Sequence, residues 1–238
     1  MSMQKLLSSM RKAIEQYDMI DDGDTVTVGL SGGKDSVALV AALARFRLFS
    51  PKRFDLRAVT VDMGLGADFS PLESFCKELD VPYEIVKTDI GEVIFDIRKE
   101  KSPCSLCSKM RRGALCNAIA KSGGGKLALG HHADDVAETF LLSLFYEGRL
   151  STFSPVSHMS RANVTLIRPF VLTLEKDIIP VSREFPVVKN PCPSNHVTKR
   201  EYMKNLLKAL GTDIPKAKES VLTALFHPER NNLWDKNK

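Results

Sequence analysis

Val26-Thr27-Val28-Gly29-Leu30-Ser31-Gly32-Gly33-Lys34-Asp35-Ser36, running into Val37-Ala38-Leu39-Val40, reads as a short buried strand, a glycine turn and the opening of a helix. Adjacent glycines remove the Cβ atoms that would keep a ligand off the backbone, and the turn ends at the positive pole of a helix dipole. Ser31 and Ser36 add hydroxyls and Lys34 a cation. A strand, a glycine turn and a helix start in this order make an anion cradle.

The natural comparison is the Walker A loop, G-x-x-x-x-G-K-[ST], and the sequence departs from it twice. Gly29 to Gly33 is one residue too short, and Asp35 stands where a hydroxyl would ligate magnesium. The pattern S-G-G-x-D-S after a strand instead resembles the pyrophosphate loop of the N-type ATP pyrophosphatases. Those enzymes split ATP between the α and β phosphates and adenylate a carbonyl oxygen. The bland alternative is a glycine-rich turn without a ligand, which the six matched positions Ser31 to Ser36 in strand-to-helix context disfavour.

Outward from this loop, 238 residues with 43% hydrophobic and 26% charged side chains fit a protein of one or two ordinary domains. The opening segment places Leu6, Met10, Ile14 and Tyr17 on one helical face and has no continuous apolar run of the signal-peptide kind, so a cytoplasmic protein without membrane association is expected. The net charge of +5 is concentrated. Arg98 to Arg112 holds six basic residues against Glu100, and Lys199 to Lys218 holds six against Glu201 and Asp213. A basic run is often only a solvated face, but two of them flanking cysteines suggest a polyanionic partner.

Phe54 to Asp62 reads as a second buried strand ending in an acid, followed by the turn Met63-Gly64-Leu65-Gly66. An acid at the carboxyl end of a parallel strand sits where nucleotide sites collect, so Asp62 is read as an ATP contact rather than a mere strand cap. A helix over 69–79, a strand over 83–87, a short helix over 89–97, a basic loop, a helix over 109–121 and a strand over 126–129 follow. Gly130-His131-His132-Ala133-Asp134-Asp135 then leads into another helix. This alternation predicts a parallel α/β, Rossmann-like sheet with right-handed crossovers. Residues 1–150 form the ATP-binding domain with the N-terminal helix and a C-x-x-C insertion. From 151 to 238 a mostly helical C-terminal appendage is expected, with a strand at 164–168, a helix over 174–185 despite Pro180, a proline-rich loop carrying Cys192, and basic helices over 196–210 and 215–226.

Five cysteines without an export signal argue against a disulfide framework. Cys76 and Cys116 fall on apolar helical faces and read as small core residues. Pro103-Cys104-Ser105-Leu106-Cys107, read as a loop, is a redox pair, half a zinc site or part of an iron–sulfur site, and the spacing alone does not choose. Cys192, framed by prolines, is the one further loop thiol. Three candidate thiolates leave one metal position without a protein ligand.

Taken in order, Ser31 to Ser36, Cys104-Ser105-Leu106-Cys107 running through Arg111-Arg112-Gly113, Leu129 to Asp135, Ile167-Arg168-Pro169 and the later Cys192 resemble the tRNA 2-thiocytidine synthetase family. The likeness runs from about Thr25 to Tyr202 and is weakest around Cys192. It implies an adenine nucleotide α-hydrolase-like fold and an enzyme that adenylates the C2 carbonyl of a cytidine in tRNA and replaces that oxygen with sulfur. It also implies a [4Fe–4S] cluster on Cys104, Cys107 and Cys192 with one iron open, ATP pyrophosphate on Ser31, Gly32, Gly33, Lys34, Asp35 and Ser36, and Gly130, Asp134 and Asp135 near ATP and its Mg2+. Asp35, Asp134 and the three cysteines would be the catalytic groups. The partners would be tRNA, a sulfur donor (sulfide or a cysteine desulfurase) and, by analogy with dimeric relatives, a second copy of the chain.

The chemistry agrees with that resemblance. An amide-like oxygen is a poor leaving group, and adenylation converts it to a phosphate ester that sulfur displaces. The loop would stabilise charge developing on pyrophosphate, and the helix after Cys107 would bring Arg111 and Arg112 toward phosphate or RNA. His131 and His132 would act as acid/base groups, contact ATP, or only orient the loop. Two other readings remain: a related adenylating enzyme without a cluster, such as an amide-forming ligase, and a non-enzymatic iron–sulfur or tRNA-binding module, which the intact loop disfavours.

Overall fold

The computed structural model describes residues 3–100, 103–188, 191–192, 199–230 and 232–233. Expectations that fall on Lys101, on Asn190 and Pro193 to Asn195, on the first residues of the helix expected from His196, and on Asn231 and 234–238 lie outside them. Among the described residues no helix is long and apolar enough to cross a membrane.

Six strands, β1 (Asp24–Gly29), β2 (Phe54–Asp62), β3 (Tyr83–Lys87), β4 (Lys126–Ala128), β5 (Val156–Met159) and β6 (Val164–Ile167), form one sheet in the order β3-β2-β1-β4-β6-β5. All pairs are parallel except the hairpin β5–β6, where Val156 faces Ile167. The order turns at β1, which has β2 on one side and β4 on the other. The carboxyl ends of β1 and β4 therefore flank the switch point at which doubly wound sheets bind ligands.

The helices are α1 (Met3–Gln16), α2 (Lys34–Phe46), α3 (Ser70–Glu78), the single turn α4 (Ile90–Glu92) continuing as a π-helical turn Val93–Ile97, α5 (Pro103–Lys121), α6 (Ala133–Glu147), α7 (Glu175–Ser182), α8 (Lys199–Asp213) and α9 (Ala217–Phe226). The helix behind the glycine turn, α2, is the most enclosed, with Val37 to Ala44 and Phe46 all buried. A helix apolar on all sides belongs inside. The helix α1 buries Leu6, Met10 and Ile14, the face its sequence spacing predicts.

Two compact units emerge, Met1–His132 with Ser154–Asn195, and Ala133–Phe153 with His196–Lys238. The boundary expected near residue 150 is thus displaced. The β5–β6 hairpin adds to the sheet beside β4, with the Leu129 N–H donating to the Ile167 carbonyl at 3.0 Å, so residues 154–195 belong with the nucleotide fold. In the second unit α8 and α9 pack on α6. The expected C-terminal appendage is therefore divided between the units, and α6 is added to its helical part.

The C-x-x-C segment is helical rather than a loop. The helix α5 begins at Pro103, and proline at the first helical position gives up an N–H that has no partner inside the helix. Cys104 and Cys107 are three residues apart on its opening turn, hence on one face.

Candidate active site

The turn after β1 is tied before the helix begins. The Ser36 hydroxyl donates to the Gly33 carbonyl at 2.9 Å and accepts the Ser31 N–H at 3.2 Å, with the Ser31 hydroxyl 3.1 Å away. Gly32 has φ +81°, and a Cβ there would stand 2.9 Å from the Val188 Cβ, whose own N–H donates to the Gly32 carbonyl at 2.9 Å. Gly33 occupies the N-cap position of α2 without a capping side chain, leaving the first helical N–H groups directed at the turn.

Lys34 Nζ lies 2.9 and 2.8 Å from the two oxygens of Asp35 and 3.0 Å from Glu175 Oε1 of α7. Partial burial opposes the ammonium charge, but the bonds to Asp35 and Glu175 outweigh it and hold the lysine above its usual range. His132 is buried with Nε2 3.8 Å from Asp35 Oδ1. Gly130 is in place because the loop after β4 presses on the start of α2. A Cβ at Gly130 would meet the Asp35 carbonyl carbon and oxygen at 3.0 Å and the Ser36 nitrogen at 3.2 Å.

Asp62 ends β2 and accepts the Gly64 N–H at 2.9 Å, while Thr88 holds its carbonyl through both N–H (2.9 Å) and hydroxyl (2.7 Å). A cavity of about 140 Å3 opens between these elements. Ser31 and Gly33 line it from the phosphate loop, Asp62 and Met63 from the strand end, Arg111 from α5 and Pro191 from the segment carrying Cys192.

The three expected thiols are neighbours in the charge balance of the site. Burial pushes the Cys107 thiol up, Arg111 opposes this, and Cys192 and Cys104 add to the rise. Cys107 Sγ is also 3.5 Å from Met63 Sδ, which puts it against the cavity wall. Cys104 is exposed and Cys192 half-buried. Among the described residues no three His, Cys, Asp or Glu side chains are grouped closely enough to hold a metal ion. Cys76 and Cys116 are buried, and burial pushes the Cys76 thiol up to about 11, as packed core sulfur requires.

Asp134 and Asp135, read from sequence as neighbours of ATP, open α6 in the second unit and are engaged there by cations. Asp134 pairs with Lys218 of α9. Asp135 Oδ1 lies 3.0 Å from Arg200 of α8, whose Nε also donates to Glu138 at 2.9 Å. Arg200 is thus part of the packing of this unit rather than a cation held out toward a partner. Glu138 is buried, and its pKa is raised by that burial, with Arg200 opposing. Sequence reasoning missed Glu175 as the partner of Lys34 and missed these long-range ion pairs, for which no local spacing gives a signal. Arg168, part of the Ile167-Arg168-Pro169 motif, is buried and donates to the Ser154 carbonyl. Desolvation, with Arg112 adding to it, lowers its pKa to about 10.

With this geometry in place, comparison with known proteins is informative. Residues 3–207 match a family described as a PP-loop domain. The tRNA-cytidine(32) 2-sulfurtransferase of Citrifermentans bemidjiense is 39% identical, over 98% of this chain and 93% of its own length. That of Pseudomonas entomophila is 38% identical, over 95% of this chain and 84% of its own. Among solved structures, the U34-tRNA thiolase NcsA from Methanococcus maripaludis, with its [4Fe-4S] cluster, shares the fold at a TM-score of 0.74 and 24% identity, covering 97% of this chain and 81% of that one. The NH3-dependent NAD synthetase from Campylobacter jejuni shares it more distantly, at a TM-score of 0.53 and 16% identity over 99% of this chain and all of its own. A phosphate loop of pyrophosphatase type at the switch point, joined to a thiol-bearing helix and matched along nearly its whole length, places this chain in the PP-loop family of tRNA-cytidine(32) 2-sulfurtransferases.

Proposed function

We propose that this chain is an ATP-dependent tRNA sulfurtransferase, which adenylates the C2 carbonyl oxygen of a cytidine and replaces that oxygen with sulfur. The observation that carries this reading is the shared cavity. Ser31 and Gly33 of the phosphate loop, Asp62, Arg111 one helical turn past Cys107, and Pro191 next to Cys192 all line one space of about 140 Å3. A nucleotide and a thiol-bound sulfur source would meet at the same base there.

In the first half-reaction the cytidine O2 attacks the α-phosphorus and pyrophosphate leaves. The uncapped N–H groups of α2 and the Lys34 ammonium stabilise the leaving charge, the kind of preorganised electrostatic contact that contributes most to such transfers. Glu175 and Asp35 keep Lys34 protonated and aimed. In the second half-reaction a sulfur nucleophile adds at C2 and AMP departs with the former carbonyl oxygen, so no redox partner is needed for the exchange itself. Arg111 stands where it would neutralise the departing phosphate.

By chemistry the donor set suits an iron–sulfur centre, because three soft thiols are the ligands such a cluster selects, and the three side chains would have to close on one another to hold it. When bound, a [4Fe–4S] cluster on Cys104, Cys107 and Cys192 would supply an iron without a protein ligand for the incoming sulfur. Mg2+ brought in with ATP and completed largely by phosphates and water remains part of the proposal; both Asp35 oxygens are held by Lys34 and would have to be released to reach it. Sulfide as sulfur source, or a cysteine desulfurase whose persulfide sulfur a thiol reductant releases as sulfide, and a homodimeric assembly complete the proposal.

Anaerobically purified protein incubated with tRNA, ATP and sulfide should yield 2-thiocytidine on nucleoside mass spectrometry, with AMP and pyrophosphate in step. Colourless, iron-free protein that releases pyrophosphate without thiolating RNA would point instead to an amide-forming ligase.

A further inference from the structure

The second unit leaves large aromatic side chains in water where it has also gathered cations. Phe145 and Tyr146 at the end of α6 are 59% and 51% exposed, and Tyr202 on α8 is 62% exposed. Lys199 Nζ stands 4.3 Å from the centroid of the Tyr146 ring. Tyr202 lies three residues beyond Lys199, the spacing that sets two side chains next to one another on a helix. The packing of α8 explains why these groups face out. Met203 and Leu207 are buried, and Arg200 is engaged by Asp135 and Glu138, so the helix turns that side inward and Tyr202 is left in solvent.

Grouped aromatic exposure marks a contact surface, because a monomer gains nothing from leaving such rings in water. Charge decides what the contact is. The helix carries Lys199, Lys204 and Lys208 besides Arg200, against Glu201 and Asp213, which suits a polyanion. Flat rings next to ammonium groups suit a polyanion that also presents flat bases. Duplex RNA hides its base edges in a deep, narrow groove, so exposed tyrosines find partners only in unpaired loops.

We infer that Tyr146 and Tyr202, with Lys199, form a stacking surface for unpaired bases of the RNA substrate. The proposal rests on the tRNA reading above and adds to it the place where the single-stranded part of the substrate is held. Lys199 meets a phosphate while the tyrosine rings take bases, so affinity at this surface has a salt-sensitive part and a salt-insensitive part.

Fluorescence anisotropy with the full chain and an unmodified tRNA transcript, over a series of salt concentrations, separates the two. Tyr146→Ala and Tyr202→Ala should each weaken binding roughly 5–150-fold with the salt slope unchanged, the scale of one lost base stack. Tyr146→Phe and Tyr202→Phe should bind like the parent. Lys199→Ala should instead flatten the slope of log affinity against log salt by about one. A base-paired RNA duplex, which offers phosphates without free bases, should bind the parent and the Tyr→Ala variants equally. Parent protein that fails to bind tRNA would remove the functional reading itself. Parent protein that binds tRNA while both Tyr→Ala variants bind equally well would overturn the stacking surface and leave that reading standing. A change of oligomeric state in the Tyr→Ala variants with unchanged tRNA affinity would also overturn it, by making the patch a face for a second copy.

Discussion

Gly130→Ala tests whether the loop after β4 sets the position of the phosphate loop. The added Cβ would lie 3.0 Å from the Asp35 carbonyl group and 3.2 Å from the Ser36 nitrogen, and both are backbone, so no flexible side-chain end can move aside. Ser36 is buried and holds Ser31 and Gly33 through its hydroxyl, so a displacement of a few tenths of an ångström at Ser36 carries into the turn. Overpacking of this kind costs about 1–3 kcal/mol. In a chain of this length that corresponds to a Tm lower by roughly 3–10 °C. Because a misplacement of about 1 Å can cost on the order of 100-fold in rate, the smaller shift here should lower kcat/KM for pyrophosphate release by about tenfold. Gly211→Ala is the control: it lies within α8 with nothing near its Cβ position, and should stabilise by about 0.5–1 kcal/mol through helix propensity. Stopped-flow pyrophosphate release with tRNA and a thermal melt on both variants settle the matter. Full activity of Gly130→Ala with a lowered Tm would show that the strain relaxes away from α2, and the reasoning would fail.

Three further outcomes follow from the same site. Cys104→Ser, Cys107→Ser and Cys192→Ser should each lose iron and acid-labile sulfide along with thiolation while still binding ATP, whereas Cys76→Ala and Cys116→Ala should keep both and lose only about 1 kcal/mol from repacking; a full iron complement in Cys192→Ser would refute the ligand assignment. Asp35→Ala should lower the rate by about 10²–10³, with AMP and pyrophosphate still the products, and ADP with orthophosphate in either protein would contradict a pyrophosphate loop. Arg200→Ala should destabilise the second unit by about 1–3 kcal/mol near neutral pH, because it leaves the buried Glu138 carboxylate without its main cation. Burial already holds the Glu138 pKa above 4.5 and Arg200 pulls it down, so the variant raises it further; a raised carboxylate pKa lowers stability as pH climbs through it, and the deficit in urea melts should shrink from pH 7.5 to pH 5.

Where the chain is buried on both sides, the sequence was legible to the residue. Phe54–Asp62 forms a strand over the span its apolar run predicts, because a largely buried parallel strand has little polar face to blur its ends, while Tyr83–Lys87, an exposed edge strand, keeps its expected span through its pairing with β2. β5 was not anticipated: Val156–Met159 is a four-residue edge strand held by one neighbour, and its place depends on pairing with β6 rather than on its own pattern. The C-x-x-C was misread as a loop because Pro103 and two serines look like turn residues, while proline in the first helical position is a start signal. Asp134 and Asp135 are placed near ATP by the resemblance alone, and no local pattern shows that each is also engaged by a cation. Their cations, Lys218 and Arg200, are 84 and 65 residues away, a separation at which only the fold pairs charges.

The relation between the phosphate loop and the thiols depends on one contact that no motif records. Cys104, Cys107 and Arg111 are spaced three and four residues apart, so they form one stripe on α5, and Leu115 continues it by a further turn. Gly29, the last residue of β1, lets this helix come close: a Cβ there would stand 3.0 Å from Leu115 Cδ1 and 2.9 Å from Leu129 Cδ2. The strand that delivers the chain into the phosphate loop is therefore packed directly against the helix that carries two of the thiols. Any bulk added at Gly29 pushes on Leu115, and through a continuous helix on Arg111, which walls the cavity beside Ser31 and Asp62, and on Cys107, which touches Met63 of that wall. In the proposed reaction, the span between the phosphate loop and the thiols would thus be set by the packing of Leu115 on Gly29 before any RNA arrives, and the substrate base would have to be brought to that span rather than the reverse.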